Sequence, residues 1–472
     1  MDAPLAAGIA RADITPPHGI AHANWGAQRH ERAAGIDAPL YATALALGAD
    51  DPAVIVDFDL LYLPAATAER MRTAVASRTG LPTDNVRLSW THTHSGPSLR
   101  TDTWAEHGKE QIGPYLERLE HQAAGVAWQA VRDQVPARLA VDTATCEIAV
   151  NRRWARPEDG NVIVGRNPDG PVDHTVGVMR IDEVVGNDPP VTEPLATMVH
   201  YACHPITVGP DNDLITPDFP GAMKRTVAKT TNSVPVLLQG AAGDVGPIRG
   251  VARGGIDEYE ALGRRLGYAV SQTWWALDPT GRTDEYVETL PSGAPLAVYE
   301  PTYEDPGSHP VSVTTRTVQL PVRDLPDPAT ARREYDELAA TRDQQRREGT
   351  DAATIRETTA RTRQAEIRAN LADDYAGKDV QPVELQVITI GGDIALVAMP
   401  GEPFVEIQRG VQERSPFPWT FFSGYANVGT AYLPTADAYE EGGYEVEVTP
   451  FAPGAADRLI ETAVETVTEL RD

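Results

Sequence analysis

Short apolar runs alternate with stretches of helical spacing along almost the whole chain, and this alternation constrains the fold more than any other feature. Ala53–Leu60 (AVIVDFDL) reads as a buried strand with acids at its end, Ala65–Ser77 has helical spacing, and Val86–Thr91 reads as the next strand. Tyr115–Val131 is an amphipathic helix, Leu139–Val150 a strand, and Gly165–Asp173 (GRNPDGPVD) a loop dense in turn formers. Strands follow at Val176–Ile181, Ala196–Tyr201 and Val234–Gln239, with helices around Gly221–Thr230 and Glu258–Ala276. Ala329–Ala376 is highly charged with helical periodicity and a break at Gly349, which predicts a helical hairpin lying on the body. Strands return at Val383–Ile390 and Ile394–Met399, and a helix over Ala455–Leu470 closes the chain. The pattern predicts an α/β fold, a mixed β-sheet core flanked by helices. Length alone suggests two or three domains or one large α/β fold with insertions. No internal repeat or low-complexity linker is seen, and the expectation adopted is one domain over residues 1–472 with a helical insertion at about 327–378.

Composition narrows the function classes. The 472 residues carry 41 basic and 68 acidic side chains, a net charge of −27, which disfavours nucleic acid and anionic membranes as partners. No run approaches the ~20 apolar residues that span a bilayer. The N-terminal MDAPLAAGIARADITPP has neither the basic nor the apolar region of a signal peptide, so a cytoplasmic protein without stable membrane insertion is expected. The two cysteines, Cys146 and Cys203, are too few for a disulfide framework or a thiolate zinc site. A metal would have to bind through histidine, carboxylate or a less usual ligand.

The chemistry-bearing residues collect at predicted strand ends. In SWTHTHSGP (Ser89–Pro97), His92 and His94 lie two apart, and on an extended strand they would share one face. His204 follows the strand Ala196–Tyr201 in VHYACHPITVG, just before a proline. His200 lies four residues earlier, ~13 Å away along an extended strand, so the two would not share a metal and the loop-edge His204 is the better candidate. Glu402 in PGEPF follows Ile394–Met399. The glycine-rich GAAGDVGP (Gly240–Pro247) has a layout that can present backbone N–H groups to an oxyanion, and its Asp244 could orient a ligand histidine or hold a second cation. Sites in α/β sheets gather beyond strand ends. His92, His204 and Glu402 suit zinc, which takes imidazole and carboxylate ligands and keeps a water when catalytic.

These motifs carry a resemblance. ADITPP (12–17), THTHSGP (91–97), NRR (151–153), ACHP (202–205), GAAGDVGP (240–247), PGE (400–402) and NVGTAYLPT (427–435) occur in the order found in the neutral/alkaline, non-lysosomal ceramidases, over nearly the whole chain. The resemblance implies a ceramidase-like catalytic domain with Zn²⁺ held by His92, His204, Glu402 and Tyr432. It implies His94 facing the scissile carbonyl, and Arg152 and Tyr444 on the substrate side. A small acylated substrate is the implied partner, cleaved at an amide or ester bond by a metal-activated water. The departures are as informative. Gly246 stands where ceramidases carry an essential serine, Arg153 replaces a serine after Asn151-Arg152, and, with about 40 residues following Tyr432, the family's immunoglobulin-like domain is expected to be missing. These departures point to a more soluble substrate than ceramide, with Arg153 bringing charge beside the pocket. The competing readings are a metal-dependent phosphoesterase, for which no second cluster of acids and histidines is evident, and a non-catalytic binding protein with a structural zinc.

Overall fold

A computed structural model describes residues 5–471 apart from 102, 104, 305, 306, 308 and 430. Thr430, inside the NVGTAYLPT motif, therefore lies outside the described residues. The largest sheet has eight strands: β1 (Ala6–Asp13), β2 (Tyr41–Leu47), β3 (Ala53–Phe58), β4 (Val86–Trp90), β5 (Val135–Thr145), β6 (Thr175–Asn187), β7 (Pro190–Tyr201) and β8 (Val234–Gln239). Their order across the sheet is β8-β7-β6-β5-β1-β2-β3-β4. The pairs β3–β4 and β7–β8 are parallel, and the rest are antiparallel. The two ends of this order approach each other, since Asp57 of β3 accepts a hydrogen bond from Leu237 N of β8 at 2.8 Å. The sheet is therefore curled, and the C-terminal ends of β4, β7 and β8 lie close together.

A second sheet, β9 (Val311–Pro321), β10 (Val380–Ile390), β11 (Ile394–Ala398) and β12 (Trp419–Ser423), runs in that order with β11 and β12 parallel. The inner strands β3 and β11 are buried along their whole length, because both of their faces are covered. Leu45, Ile55, Met198 and Leu238 of the large sheet meet Ile388, Leu396 and Phe421 of the second in one core between the sheets. On the outer face, α1 (Ala65–Thr79) and α2 (Ile112–Arg132) cover β2–β4, while α3 (Asp218–Thr231) and α4 (Ile256–Ala276) cover β6–β8. Beyond the second sheet, Ile407 and Val411 of the helix Val405–Gln412 and Leu459 and Ala463 of the helix Ala455–Arg471 pack on Leu385 and Val397, so the layers are helices, sheet, sheet, helices. Each fully buried Leu or Ile contributes roughly 1.5–3 kcal/mol. Arg87 spans the two sheets with its guanidinium buried, donating to Gln386 Oε1 at 2.6 Å and Leu396 O at 2.8 Å.

The helical hairpin forms where its periodicity predicts. Helices α5 (Pro328–Glu348) and α6 (Ala352–Tyr375) are each capped by an aspartate: Asp327 accepts from Thr330 N, and Asp351 accepts from Ala353 N and Thr354 N. Gly349, at φ +68°, ends α5 in the left-handed conformation that glycine adopts without strain. Among the described residues, no helix is long and apolar enough to cross a membrane.

The structure departs from the sequence reading at two places, the first of which affects the site. The single strand expected over Leu139–Val150 is divided, because the chain breaks at Cys146–Ile148, where Cys146 and Ile148 enter the core under α3 and α4. The following strand, Ala149–Ala155, leaves the large sheet and pairs with Val162–Asn167 and Val245–Pro247, carrying Asn151-Arg152-Arg153 towards the glycine loop. The second departure is a free-standing hairpin, Arg282–Leu290 with Leu296–Tyr303, whose first strand is exposed along its whole length.

Candidate metal centre and active site

The strand β4 ends at Trp90, two residues before the first histidine of the motif. Thr91 N and His92 N donate to Phe58 O and Leu60 O, and His92 takes φ +69°. The expected same-face alternation therefore does not apply, since neither His92 nor His94 is on a strand. The turn still brings the rings together, with centroids 5.1 Å apart at an interplanar angle of 82°. His204 lies beyond the end of β7, and its backbone N–H donates to Val245 O at 3.0 Å. His92, His94 and His204 form one group able to hold a metal.

Tautomers follow from the outer hydrogen bonds. His92 Nδ1 donates to Leu61 O at 3.1 Å, and His204 Nδ1 to Ala242 O at 3.1 Å. Both rings therefore present an unprotonated Nε2 inward, as carbonyl-anchored ligand histidines do. Glu402 comes from the second sheet, after β11 and a turn at Gly401 (φ +95°). Its Oε2 lies 3.5 Å from His92 Nε2 and 3.9 Å from His204 Nε2. His94 Nε2 is 3.0 Å from His204 Nε2. Burial first, then His92 and Arg152, holds His94 well below the usual imidazole range. Burial, with Arg152, His92 and His94, does the same to His204. Neutral imidazoles are the form that binds metal.

Tyr432 pairs with Glu402 across a short parallel bridge, so the two side chains enter from adjacent strands. Its hydroxyl accepts from Arg152 Nη2 at 3.0 Å. Burial raises the Tyr432 phenol well above its ordinary value, partly opposed by Arg152. Arg152 is itself buried, with Nε donating to Glu445 Oε1 at 2.9 Å. Burial works against its charge, but Tyr432, Glu445 and Glu402 together hold its pKa well above the ordinary value. Tyr444 lies at the rim, 40% exposed, with its ring centroid 5.8 Å from that of Tyr432.

Several sequence-derived expectations meet a different environment. Asp244 uses Oδ1 to accept from Val405 N at 2.8 Å and Oδ2 to accept from Asn151 Nδ2 at 3.1 Å. Burial raises this carboxyl to about 7. Its hydrogen bonds join the segment Asn151–Arg153 to the start of the helix Val405–Gln412 (α7), and none of those bonds goes to a histidine. Three N–H groups of the glycine loop are already bonded to other segments: Gly240 N donates to Tyr201 O, Ala241 N to Gln408 Oε1 and Gly243 N to Pro403 O. Arg153 is not a free charge beside the pocket. It donates to Glu445 at 3.1 Å and Glu441 at 3.0 Å, and to the carbonyls of Ala438 and Gly442. His200 turns away from the centre, its Nε2 bonded to Phe422 O at 2.7 Å.

Sequence reasoning missed Tyr425, Tyr62, Trp25 and Glu445. The Tyr425 ring lies 4.4 Å from that of His92, and its hydroxyl 3.4 Å from His204 Nδ1. Tyr62 stacks on His92 at 5.7 Å, and Trp25 packs on His94 at 5.1 Å. Tyr62 lies two residues after the apolar run ending at Leu60, which is a usable signal. Trp25 and Tyr425 sit in loops without periodicity and give none. Beside the metal centre a cleft of about 310 Å³ is lined by Trp25, Tyr62, Leu99, Tyr444 and part of α6.

The residues present fit a metal ion. His92 Nε2 and Glu402 Oε2 are buried and have no hydrogen-bond partner among the described residues. A buried carboxylate oxygen and an imidazole lone pair facing each other are an arrangement that a cation stabilises and its absence penalises.

No protein-family model matches the chain, and no curated protein matches it. Its fold is similar to two solved structures. Neutral ceramidase from Pseudomonas aeruginosa aligns with a TM-score of 0.66 and 17% identity, over 100% of this chain and 75% of that one. A ceramidase complexed with C2 aligns with a TM-score of 0.65 and 17% identity, over 100% of this chain and 76% of that one. At this identity the likeness shows the fold, a ceramidase-like α/β catalytic-domain fold.

Proposed function

We propose that the chain is a zinc-dependent hydrolase that cleaves an amide or ester bond in a small, water-soluble acylated compound. The observation that carries this reading is the convergence of His92 Nε2, His204 Nε2 and Glu402 Oε2 beside a cleft, with the first and last lacking a hydrogen-bond partner among the described residues. His92, His204, Glu402 and Tyr432 would hold the ion. Zinc bound there polarises a carbonyl oxygen and lowers the pKa of water from 15.7 towards ~7.

The chain's own groups supply the rest. His94, kept neutral by burial, donates one N–H to the oxygen on which negative charge develops. Tyr444 adds a hydroxyl from the rim. Arg152 holds the Tyr432 hydroxyl by a hydrogen bond, and its positive charge opposes the burial that raises the Tyr432 phenol. Asp244 keeps Arg152 and α7 in register rather than meeting the substrate. A closed structural zinc is the weaker reading, since the centre lies beside a cleft whose wall includes Tyr62 and Trp25, both packed on its histidines.

The cleft of about 310 Å³ stands at the small end of ligand-site volumes, which favours compact acyl compounds over a two-chain lipid. The test compares kcat/KM for short N-acyl and O-acyl compounds with that for long-chain ceramide in mixed micelles, using zinc-loaded protein. The short compounds are expected to be cleaved at least tenfold better. Equal or better cleavage of ceramide would overturn the substrate class, and no hydrolysis of any acylated compound would overturn the activity.

A further inference from the structure

Trp25 has no hydrogen bond to fix its ring: the indole Nε1 is buried and unpartnered among the described residues. Its place against His94, with centroids 5.1 Å apart and planes at 53°, must come from packing and from the backbone that carries it. That backbone is tied on both sides. Towards the centre, Ala23 N donates to Ser98 Oγ at 2.9 Å and Asn24 Nδ2 to Gly96 O at 2.8 Å, so the loop rests on the turn that follows His94. Gln28 closes the loop on itself, its Oε1 accepting from Trp25 N at 3.1 Å and its Nε2 donating to His22 O at 2.8 Å, and away from the centre an arginine of α6 reaches it. Arg363 of α6 donates through Nη1 to Trp25 O at 3.2 Å and to Gly26 O, and its Nη2 lies 3.5 Å from Gln28 O.

This arginine sits on the helix face that lines the cleft. Arg363, Glu366, Ile367 and Asn370 are spaced three, four and seven apart, which places them on one side of α6, and all four line the cleft beside the metal centre. The position is electrostatically costly for Arg363. Burial lowers its pKa, and Arg342 and Arg346 of α5 add to the lowering against Glu366. The backbone carbonyls of the Trp25 loop offset part of that cost, since a guanidinium fork matches several acceptors at once.

We propose that the helical hairpin is a working part of the active site: Arg363 is a positioning residue that sets Trp25 against His94, and the same face of α6 forms the outer wall of the substrate cleft. The wall's contribution to substrate binding rests on the hydrolase reading above, whereas the positioning of the loop does not.

The experiment compares wild type, Arg363→Ala, Arg363→Lys and Arg332→Ala. Arg332 lies on the same hairpin and bonds Asp373 and Asn370 of α6, with no bond to the Trp25 loop among the described residues, so it controls for general loosening of the helices. Hydrogen exchange of amides 24–28 is read on metal-free protein, and acetohydroxamate affinity on zinc-loaded protein. Arg363→Ala is expected to speed exchange at 24–28 at least tenfold and weaken acetohydroxamate at least fivefold, with zinc content unchanged. Arg363→Lys should recover both to within threefold, and Arg332→Ala should leave both as in wild type. Unchanged exchange in Arg363→Ala, or equal loosening by Arg332→Ala, overturns the proposal. If Arg363→Ala does not fold, Arg363→Gln is read by the same criteria. Failure of the wild type to bind zinc would count against the hydrolase reading alone, because the exchange measurement still decides the role of Arg363.

Discussion

His92 Nε2 and Glu402 Oε2 face each other at 3.5 Å, each buried and each without a hydrogen-bond partner among the described residues. One comes from the turn after β4 of the large sheet, the other from the turn after β11 of the second. Leaving a buried polar group unsatisfied costs about 1–3 kcal/mol. The two outward Nδ1 bonds of His92 and His204 fix the rings so that their lone pairs point inward. The fold thus maintains an arrangement that is unfavourable when empty and favourable around a cation.

Replacing His94 separates ligand from substrate-side roles. If its ring meets the developing oxyanion, His94→Ala keeps its zinc, measured by metal analysis, and loses roughly 10²–10³ in kcat. Its Nε2 lies only 3.0 Å from that of His204, so the competing outcome is concrete. Zinc lost together with activity would place His94 in the ligand set.

Gly243 marks the closest approach of the glycine loop to the Glu402 turn. A Cβ there would stand 2.4 Å from Glu402 O and 2.9 Å from Pro403 O, both backbone atoms that cannot swing aside. Gly243→Ala is therefore expected to displace Glu402 and weaken zinc binding at least tenfold. Gly246 is the contrasting position, since a Cβ there meets Arg152 Cβ at an ordinary 3.6 Å. Gly246→Ser should fold and bind zinc as wild type does. Competition with a chelator of known affinity measures both.

Much of this architecture was legible in the sequence because local periodicity and capping create it. The hairpin is the clearest case, with Asp327, Gly349 and Asp351 marking its helix ends. His92 was legible as a candidate, but the argument from strand alternation does not survive its φ of +69°. A left-handed conformation is set by long-range bonds such as His92 N to Leu60 O, which no local pattern encodes. Tyr425, at φ +54°, was illegible for the same reason. The burial of Arg153 against Glu441 and Glu445 depends on two one-turn helices, Ala438–Glu441 and Tyr444–Glu447, folding back onto it, a long-range contact that no local pattern encodes.

His22 gives the fold an acid-sensitive point. Burial first, and His30 second, lowers its pKa from 6.5 to about 3. The folded-state value lies below the unfolded one, so the unfolded chain takes up the proton first as pH falls. The stability present above pH 6.5 is then lost progressively down towards 3. At pH 4 the loss from this group approaches ~3 kcal/mol. Denaturant titrations of wild type and His22→Gln between pH 7 and 4 should show a shallower fall in the variant. Parallel curves would remove His22 from the account.

The central claim is a zinc site built on His92, His204 and Glu402, and metal content tests it most directly. Protein purified without chelators, or refilled with zinc and desalted, is expected to carry about one zinc per chain. His92→Ala and His204→Ala should each lose it, while His200→Ala, whose ring bonds Phe422 O instead, should keep it. A wild-type protein that holds no zinc under either condition, or His200→Ala losing metal as His204→Ala does, would contradict the account.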